Sequence, residues 1–119
     1  MYDNFEVVDC WTNRAVHCVY QALILAISTR HADAVDIKFL VDGQPVWISL
    51  PQTAWGEYYH RTGKIMTDPL AVQIAGHYLK LAIEGGQNGD REMHTLTVAD
   101  TLQHLEALLQ EERAGAVSA

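Results

Sequence analysis

Two turn residues, Asp42 and Gly43, lie between two stretches in which apolar residues alternate with other residues. An Asp-Gly pair favours the two-residue turn that joins neighbouring antiparallel strands, and it therefore predicts a β-hairpin over residues 34–50. A shift of one residue would turn the apolar side chains to the other face of the sheet, so the register is strongly specified. The predicted pairs are Val41 with Gln44, Phe39 with Val46, Ile37 with Ile48, and Val35 with Leu50.

The other face of this hairpin carries two further signals. Lys38 falls opposite Trp47, which predicts a cation–π contact across the strands. Pro45 has no backbone N–H to donate to a strand on its outer side. We therefore expect this end of the second hairpin strand to lie at an edge of the sheet.

Residues 12–27 are predicted to form a buried helix. Thr12 is a favourable N-cap residue, and Trp11 before it is placed to pack against Val16. Because apolar residues occupy nearly every side of the segment, we expect it to be the central helix of the domain. The apolar residues that share one face at helical spacing are Val16, Val19, Tyr20, Leu23 and Ile27.

Three further helices and two further strands follow from capping residues and from the spacing of apolar residues. The predicted helix over 69–84 has a face of small residues, which permits close approach of another backbone. The helices are one between Pro51 and Gly63, one over 69–84 with Asp68 as N-cap, and a last one capped by Thr97 with Asp100. The strands are 5–9 and 91–96.

Together these elements predict an α+β fold. We expect a small, mostly antiparallel sheet built around the 34–50 hairpin, with about four helices packed mainly on one face. The length of 119 residues suits a single domain, which we place at residues 1–113. Residues 114–119 are expected to form a flexible tail. The order of the strands does not follow from the sequence.

Composition and charge argue against several classes of partner. The formal charge of −7 is unfavourable for binding nucleic acid, whose phosphates need a basic surface. The longest apolar run, residues 22–27, is far shorter than the ~20 residues of a membrane-spanning helix. The first residues do not have the pattern of a signal peptide, and Cys10 and Cys18 are too few for a disulfide framework. We therefore expect a cytoplasmic protein.

The sequence contains no motif typical of a catalytic, cofactor or metal site. None of the six histidines is spaced with another histidine, a cysteine or a carboxylate in a zinc pattern. Thr62-Gly63-Lys64 resembles part of a phosphate-binding loop, but Ile65 replaces the serine or threonine that such a loop needs. We predict no catalytic residue, no cofactor and no metal, although enzymatic activity stays open.

The segment Tyr58-Tyr59-His60-Arg61 has the composition of an interface or a ligand pocket, because these residue types are enriched in both. We predict these four residues and Trp47 as the site that binds a ligand or a partner. In the first hypothesis the protein is a non-catalytic interaction or regulatory module that forms homo-oligomers or binds another protein. In the second, the four residues of the segment line a small-molecule pocket.

Overall fold

Five strands and three helices make up the described part of the chain, which comprises residues 2–26, 34–86 and 92–117 of the computed structural model. The predicted α+β class is confirmed, with three described helices instead of the four expected. In chain order the elements are β1 (Asn4–Val8), β2 (Ala15–Ala26), β3 (Ala34–Val41), β4 (Gln44–Pro51), α1 (Thr53–Thr62), α2 (Asp68–Glu84), β5 (Met93–Thr95) and α3 (Val98–Val117).

The strands form one sheet in the order β1-β2-β3-β4-β5. The first four strands pair antiparallel with their neighbours in the chain. The chain then passes through α1 and α2 before β5 pairs with β4 in parallel, which requires a long crossover of this kind. The sheet is thus mostly antiparallel, as predicted.

The hairpin between β3 and β4 confirms the prediction from the Asp-Gly pair. Asp42 and Gly43 have φ of 48° and 84°, the positive values that such a turn needs at both positions. Every predicted pair is present: Val41 with Gln44, Phe39 with Val46, Ile37 with Ile48, and Val35 with Leu50.

The cation–π contact predicted on the other face of the hairpin is also confirmed. The ammonium of Lys38 lies 5.8 Å from the ring centroid of Trp47. Among the described residues β5 pairs with β4 from Trp47 to Ser49, so Pro45 lies outside the described part of this ladder.

The predicted helix over residues 12–27 is wrong, because Ala15–Ala26 form the strand β2. The residues taken as a helix start lie in the turn between β1 and β2. There the carboxylate of Asp9 accepts hydrogen bonds from the backbone N–H groups of Trp11 and Thr12, at 2.7 and 3.2 Å. Polar side chains that bond to nearby backbone favour such turns as well as helix caps, so this signal fits both structures.

A bulge in β2 explains the helix-like spacing of its apolar residues. Gln21 is skipped in the pairing of β2 with β3, so the alternation of faces changes phase at this point. Val16, Tyr20 and Leu23 consequently all pack toward the hydrophobic core. Their intervals of four and three residues match one face of a helix, although the backbone is extended.

The helices begin and end close to the predicted residues. α1 stops at Gly63, which has φ of 73°. The N-cap of α2 is Thr67, not Asp68: the Thr67 hydroxyl accepts a hydrogen bond from the first turn, and Asp68 is already helical. Thr97 and Asp100 cap α3 reciprocally, with bonds of 3.0 and 3.3 Å, as predicted.

At 20 residues, α3 is the longest described helix. It continues to Val117 and so includes much of the segment 114–119, for which the sequence predicts a tail. No helix within the described ranges is long and apolar enough to cross a membrane.

The helices pack on one face of the sheet, around the fully buried side chains of Ile37, Phe39 and Ile48. The small-residue face of α2 does permit the close approach that the sequence predicts. At Gly76 the approaching backbone is that of Tyr2, whose carbonyl oxygen occupies the space that a side chain would need. The small-residue face is therefore covered, at least in part, by the chain's own N-terminal segment.

Candidate functional site

One face of the sheet is left uncovered by the described helices. Side chains alternate along a strand, so the neighbours of the buried strand residues point away from the helices. The apolar members of this set do not join the hydrophobic core. We call them the open face, and they are Val8, Val19, Ile24, Leu40, Trp47 and Met93.

The open face combines exposure with continuity across strands. The side chains of Val8, Ile24 and Met93 are 51%, 50% and 52% exposed. Trp47 lies in register between Lys38 on one side and Met93 on the other, so a single row crosses β3, β4 and β5. Val19 pairs with Leu40 and Trp47 with Met93, so apolar side chains are direct neighbours across β2–β3 and β4–β5. Neighbouring apolar side chains on a surface, unlike scattered ones, are typical of sites that bind other molecules.

The five residues predicted to bind a ligand or partner do not form one site. Tyr58, which is 6% exposed, and the exposed Arg61 both line a cleft between α1 and α3. Tyr59 and His60 are exposed on α1 but do not line this cleft. Trp47 belongs to the open face, on the other side of the sheet from the helices.

The cleft between α1 and α3 has a volume of about 330 Å³. Arg61 is oriented at its edge by a hydrogen bond of 2.9 Å from its Nε to the carboxylate of Glu57, one turn earlier in α1. The cleft thus combines apolar side chains with polar groups of both helices. Its lining residues are Tyr58, Arg61, Thr62, Leu102, Leu105, Glu106, Leu109 and Gln110.

A pair of histidines between α2 and α3 was not predicted from the sequence. The Nδ1 atoms of His77 and His104, which we call the histidine pair, are 2.7 Å apart. One imidazole must donate and the other accept, so the pair shares a single Nδ1 proton when both rings are neutral. Glu111 lies 3.7 Å from Nε2 of His77 and accepts a hydrogen bond from the hydroxyl of Tyr2.

A second aromatic contact lies beside the histidine pair. The hydroxyl of Tyr78 is 2.9 Å from Nδ1 of the buried His94, and the ring of Tyr78 packs edge-on against His104 at 5.6 Å between centroids. These contacts join β5 to α2 and α3. Within the described ranges, no group of three or more histidine, cysteine or carboxylate side chains is arranged to hold a metal ion.

Burial controls the protonation of this cluster. Desolvation lowers the pKa of His77, against the opposing charge of Glu111. Desolvation, and then the proximity of His77, lower the pKa of His104. Burial and the hydrogen bond to Glu111 raise the pKa of Tyr2 to about 12. Both imidazoles are therefore neutral at pH 7, and Tyr2 keeps its proton.

Comparison with known proteins finds no relative: no family model, no curated protein and no solved structure matches this chain. Three features of the chain itself are therefore the basis for inferring function. They are the open face of the sheet, the cleft between α1 and α3, and the histidine pair.

Proposed function

We propose that this protein is a non-catalytic interaction module that self-associates through the open face. An antiparallel sheet that packs one face on helices usually presents polar side chains on the other. Here Leu40, Trp47 and Met93 occupy outward positions on three neighbouring strands, and this observation carries the proposal. Burial of such apolar surface against a second copy would release water and favour association.

The dimensions of the sheet support a face-to-face pair of copies. The strands lie about 4.8 Å apart and rise about 3.3 Å per residue, so the strands of 5, 12, 8, 8 and 3 residues together give each face roughly 500 Å². Two such faces would bury roughly 1,000 Å² in total, which reaches the lower limit for a specific interface. A weak dimer that depends on protein concentration is the expected form.

The charges beside the open face are compatible with pairing of identical copies. Lys38 and Asp36 lie two positions apart on β3, and both alternate with buried residues. A two-fold axis places the same surface of both copies in contact, so each lysine can meet an aspartate of the other copy. Such complementarity favours one register of the pair over others.

Sedimentation velocity over a wide range of micromolar concentrations tests this proposal. The wild-type chain is expected to change from monomer to dimer, and Met93→Glu to raise the dissociation constant by about tenfold or more. Leu81→Glu is the matched control, because Leu81 is a similarly exposed apolar residue of α2, at 46% against 52%. A strictly monomeric wild type, or equal effects of the two substitutions, would contradict the proposal.

Small-molecule binding is a second candidate function, which the cleft between α1 and α3 favours. The cleft joins Tyr58 and Arg61, two of the four residues that the sequence predicts for a pocket. Its volume of about 330 Å³ lies at the lower end of the ~300–1,000 Å³ typical of small-molecule sites. Amide chemical shifts recorded with a mixture of metabolites test it: shifts confined to α1 and α3 support binding, and unchanged spectra contradict it.

A cytoplasmic location without a nucleic-acid partner accompanies these proposals. The formal charge of −7 is unfavourable for phosphate binding. Cys10 and Cys18 are free thiols, and Cys10 is exposed, a state that a reducing compartment preserves. Cell fractionation with thiol labelling tests the location, and recovery of the protein from an oxidising compartment would contradict it.

A further inference from the structure

The chemistry of the cleft between α1 and α3 indicates which small molecules it can hold, a step that rests on the second candidate function. Leu102 and Leu105 of α3 are almost fully buried, at 7% and 2% exposure, and Tyr58 of α1 faces the same space. A volume of about 330 Å³ excludes large ligands. The apolar part of an occupant is therefore a compact aliphatic or aromatic group.

Opposite charges flank this apolar lining, one on each helix. Arg61 comes from α1 and Glu106 from α3, and both are exposed. Glu57 accepts from Nε of Arg61 at 2.9 Å, which leaves the two terminal nitrogens of the guanidinium for the forked contact that a carboxylate prefers. The Thr62 hydroxyl donates to the Tyr58 carbonyl at 2.8 Å, so its proton is already engaged. Arg61 is the one cationic side chain among the described residues that line the cleft.

We propose that the cleft binds a small zwitterion with an apolar side chain, the chemistry of an aliphatic or aromatic α-amino acid. Its carboxylate binds Arg61, its ammonium binds Glu106, and its side chain packs against Leu102 and Leu105. A ligand with one charge satisfies only one side of the cleft: an anion meets the carboxylate of Glu106, and a cation offers nothing to the terminal nitrogens of Arg61 that Glu57 leaves free. A zwitterion satisfies both charges and the apolar lining together.

Titration of the isotope-labelled full chain, followed by amide chemical shifts, tests this assignment with matched probes. L-phenylalanine carries both charges and an apolar group; phenylpropanoate lacks the ammonium, phenethylamine lacks the carboxylate, and glycine lacks the side chain. We expect saturable shifts at the cleft for L-phenylalanine. Its dissociation constant should be at least about fivefold lower than that of each other probe, since the charged contacts are exposed to solvent.

Two substitutions separate the roles of the charges. Arg61→Met and Glu106→Gln should each weaken the binding of L-phenylalanine by about fivefold. In addition, Glu106→Gln should improve the binding of phenylpropanoate, and Arg61→Met that of phenethylamine, changes that mere damage to the cleft would not produce. Arg14→Met and Glu92→Gln, exposed residues of the same types outside the cleft, are the controls and should leave binding unchanged.

The possible outcomes distinguish this inference from the function on which it rests. If phenylpropanoate or phenethylamine binds as tightly as L-phenylalanine, the zwitterion assignment fails and small-molecule binding stands. If the metabolite mixture shifts the cleft amides but none of the four probes does, the zwitterion assignment likewise fails and small-molecule binding stands. If neither the probes nor the mixture shift the cleft amides, the zwitterion assignment and the proposal of small-molecule binding both fail. Cleft shifts that grow with protein concentration alone would place a second copy there and would also overturn the assignment.

Discussion

His77 and His104 link the stability of this protein to pH. The charged groups that face them are Lys80 and Glu84 from α2 and Asp100 and Glu111 from α3. Desolvation outweighs these charges and holds both histidine pKa values below the ordinary value, so the folded chain binds fewer protons than the unfolded chain. The free energy of unfolding is therefore highest above the unfolded pKa of about 6.5 and falls as the pH drops below it.

We expect the double variant His77→Asn/His104→Asn to lose less stability than the wild type between about pH 7.5 and about pH 5.5. Asparagine amides can still bond between α2 and α3, but they do not titrate. Urea denaturation at both pH values measures the difference. His60→Asn changes an exposed histidine and should keep the wild-type pH dependence. An equal loss of stability in the double variant would show that other groups cause it.

At Gly76, the backbone of α2 packs closely against the backbone of the N-terminal segment. A Cβ atom there would overlap the carbonyl oxygen of Tyr2 and lie 2.8 Å from the Cβ of Tyr2. We expect Gly76→Ala to lower the free energy of unfolding by about 2 kcal/mol or more, because backbone cannot yield cheaply. In α1, a Cβ atom at Gly56 would have nothing within 4 Å. Gly56→Ala should therefore raise the free energy of unfolding by about 0.5–1 kcal/mol, because alanine favours the helix. Thermal or urea denaturation measures both, and equal effects would contradict this explanation.

Residue types predict only part of the candidate site. The composition of Tyr58 and Arg61 indicates binding residues, and both line the cleft. Apart from Thr62, the remainder of the cleft lining comes from α3, more than thirty residues later, and only the packing of α1 on α3 brings it near. The histidine pair is hidden for the same reason, since His77 and His104 are 27 positions apart in the sequence.

Among the secondary-structure elements, those with local signals are the ones that the sequence predicts correctly. The β3–β4 hairpin depends on one turn and on the alternation beside it, and its register is as predicted. β2 lies between two strands, and its pairing with β3 contains a bulge that imitates helical spacing. The apolar pattern fits both structures, and contact with β1 and β3 decides between them.

The bulge itself can be tested by deletion. Removing Gln21 should leave Tyr20 toward the core and Ala22 away from it, because the pairs on both sides of the bulge keep their faces. We expect the chain to fold with a loss of stability below about 1 kcal/mol. Removing Val19 shortens β2 equally, but it moves Tyr20 outward and Gln21 inward, and should destabilise by more than about 2 kcal/mol. Urea denaturation compares the two, and equal losses would argue against the bulge.

In the whole molecule, net charge and the open face act on self-association in opposite directions. The formal charge of −7 repels copies of the chain, while apolar surface on the open face favours their contact. Protonation of all six histidines would bring the formal charge from −7 to −1. Because the histidine pair resists protonation, the chain stays more negative than this limit in mildly acidic solution.

We therefore expect self-association to strengthen as the pH falls from about 7.5 to about 5.5, since weaker repulsion lets the open faces approach. Sedimentation velocity at fixed protein concentration should show a rising sedimentation coefficient. Met93→Glu should suppress the rise, whereas Leu81→Glu, which adds the same charge on α2, should leave most of it. Unchanged sedimentation of the wild type would refute the charge argument. A rise that persists in Met93→Glu would place the contact on another surface of the molecule.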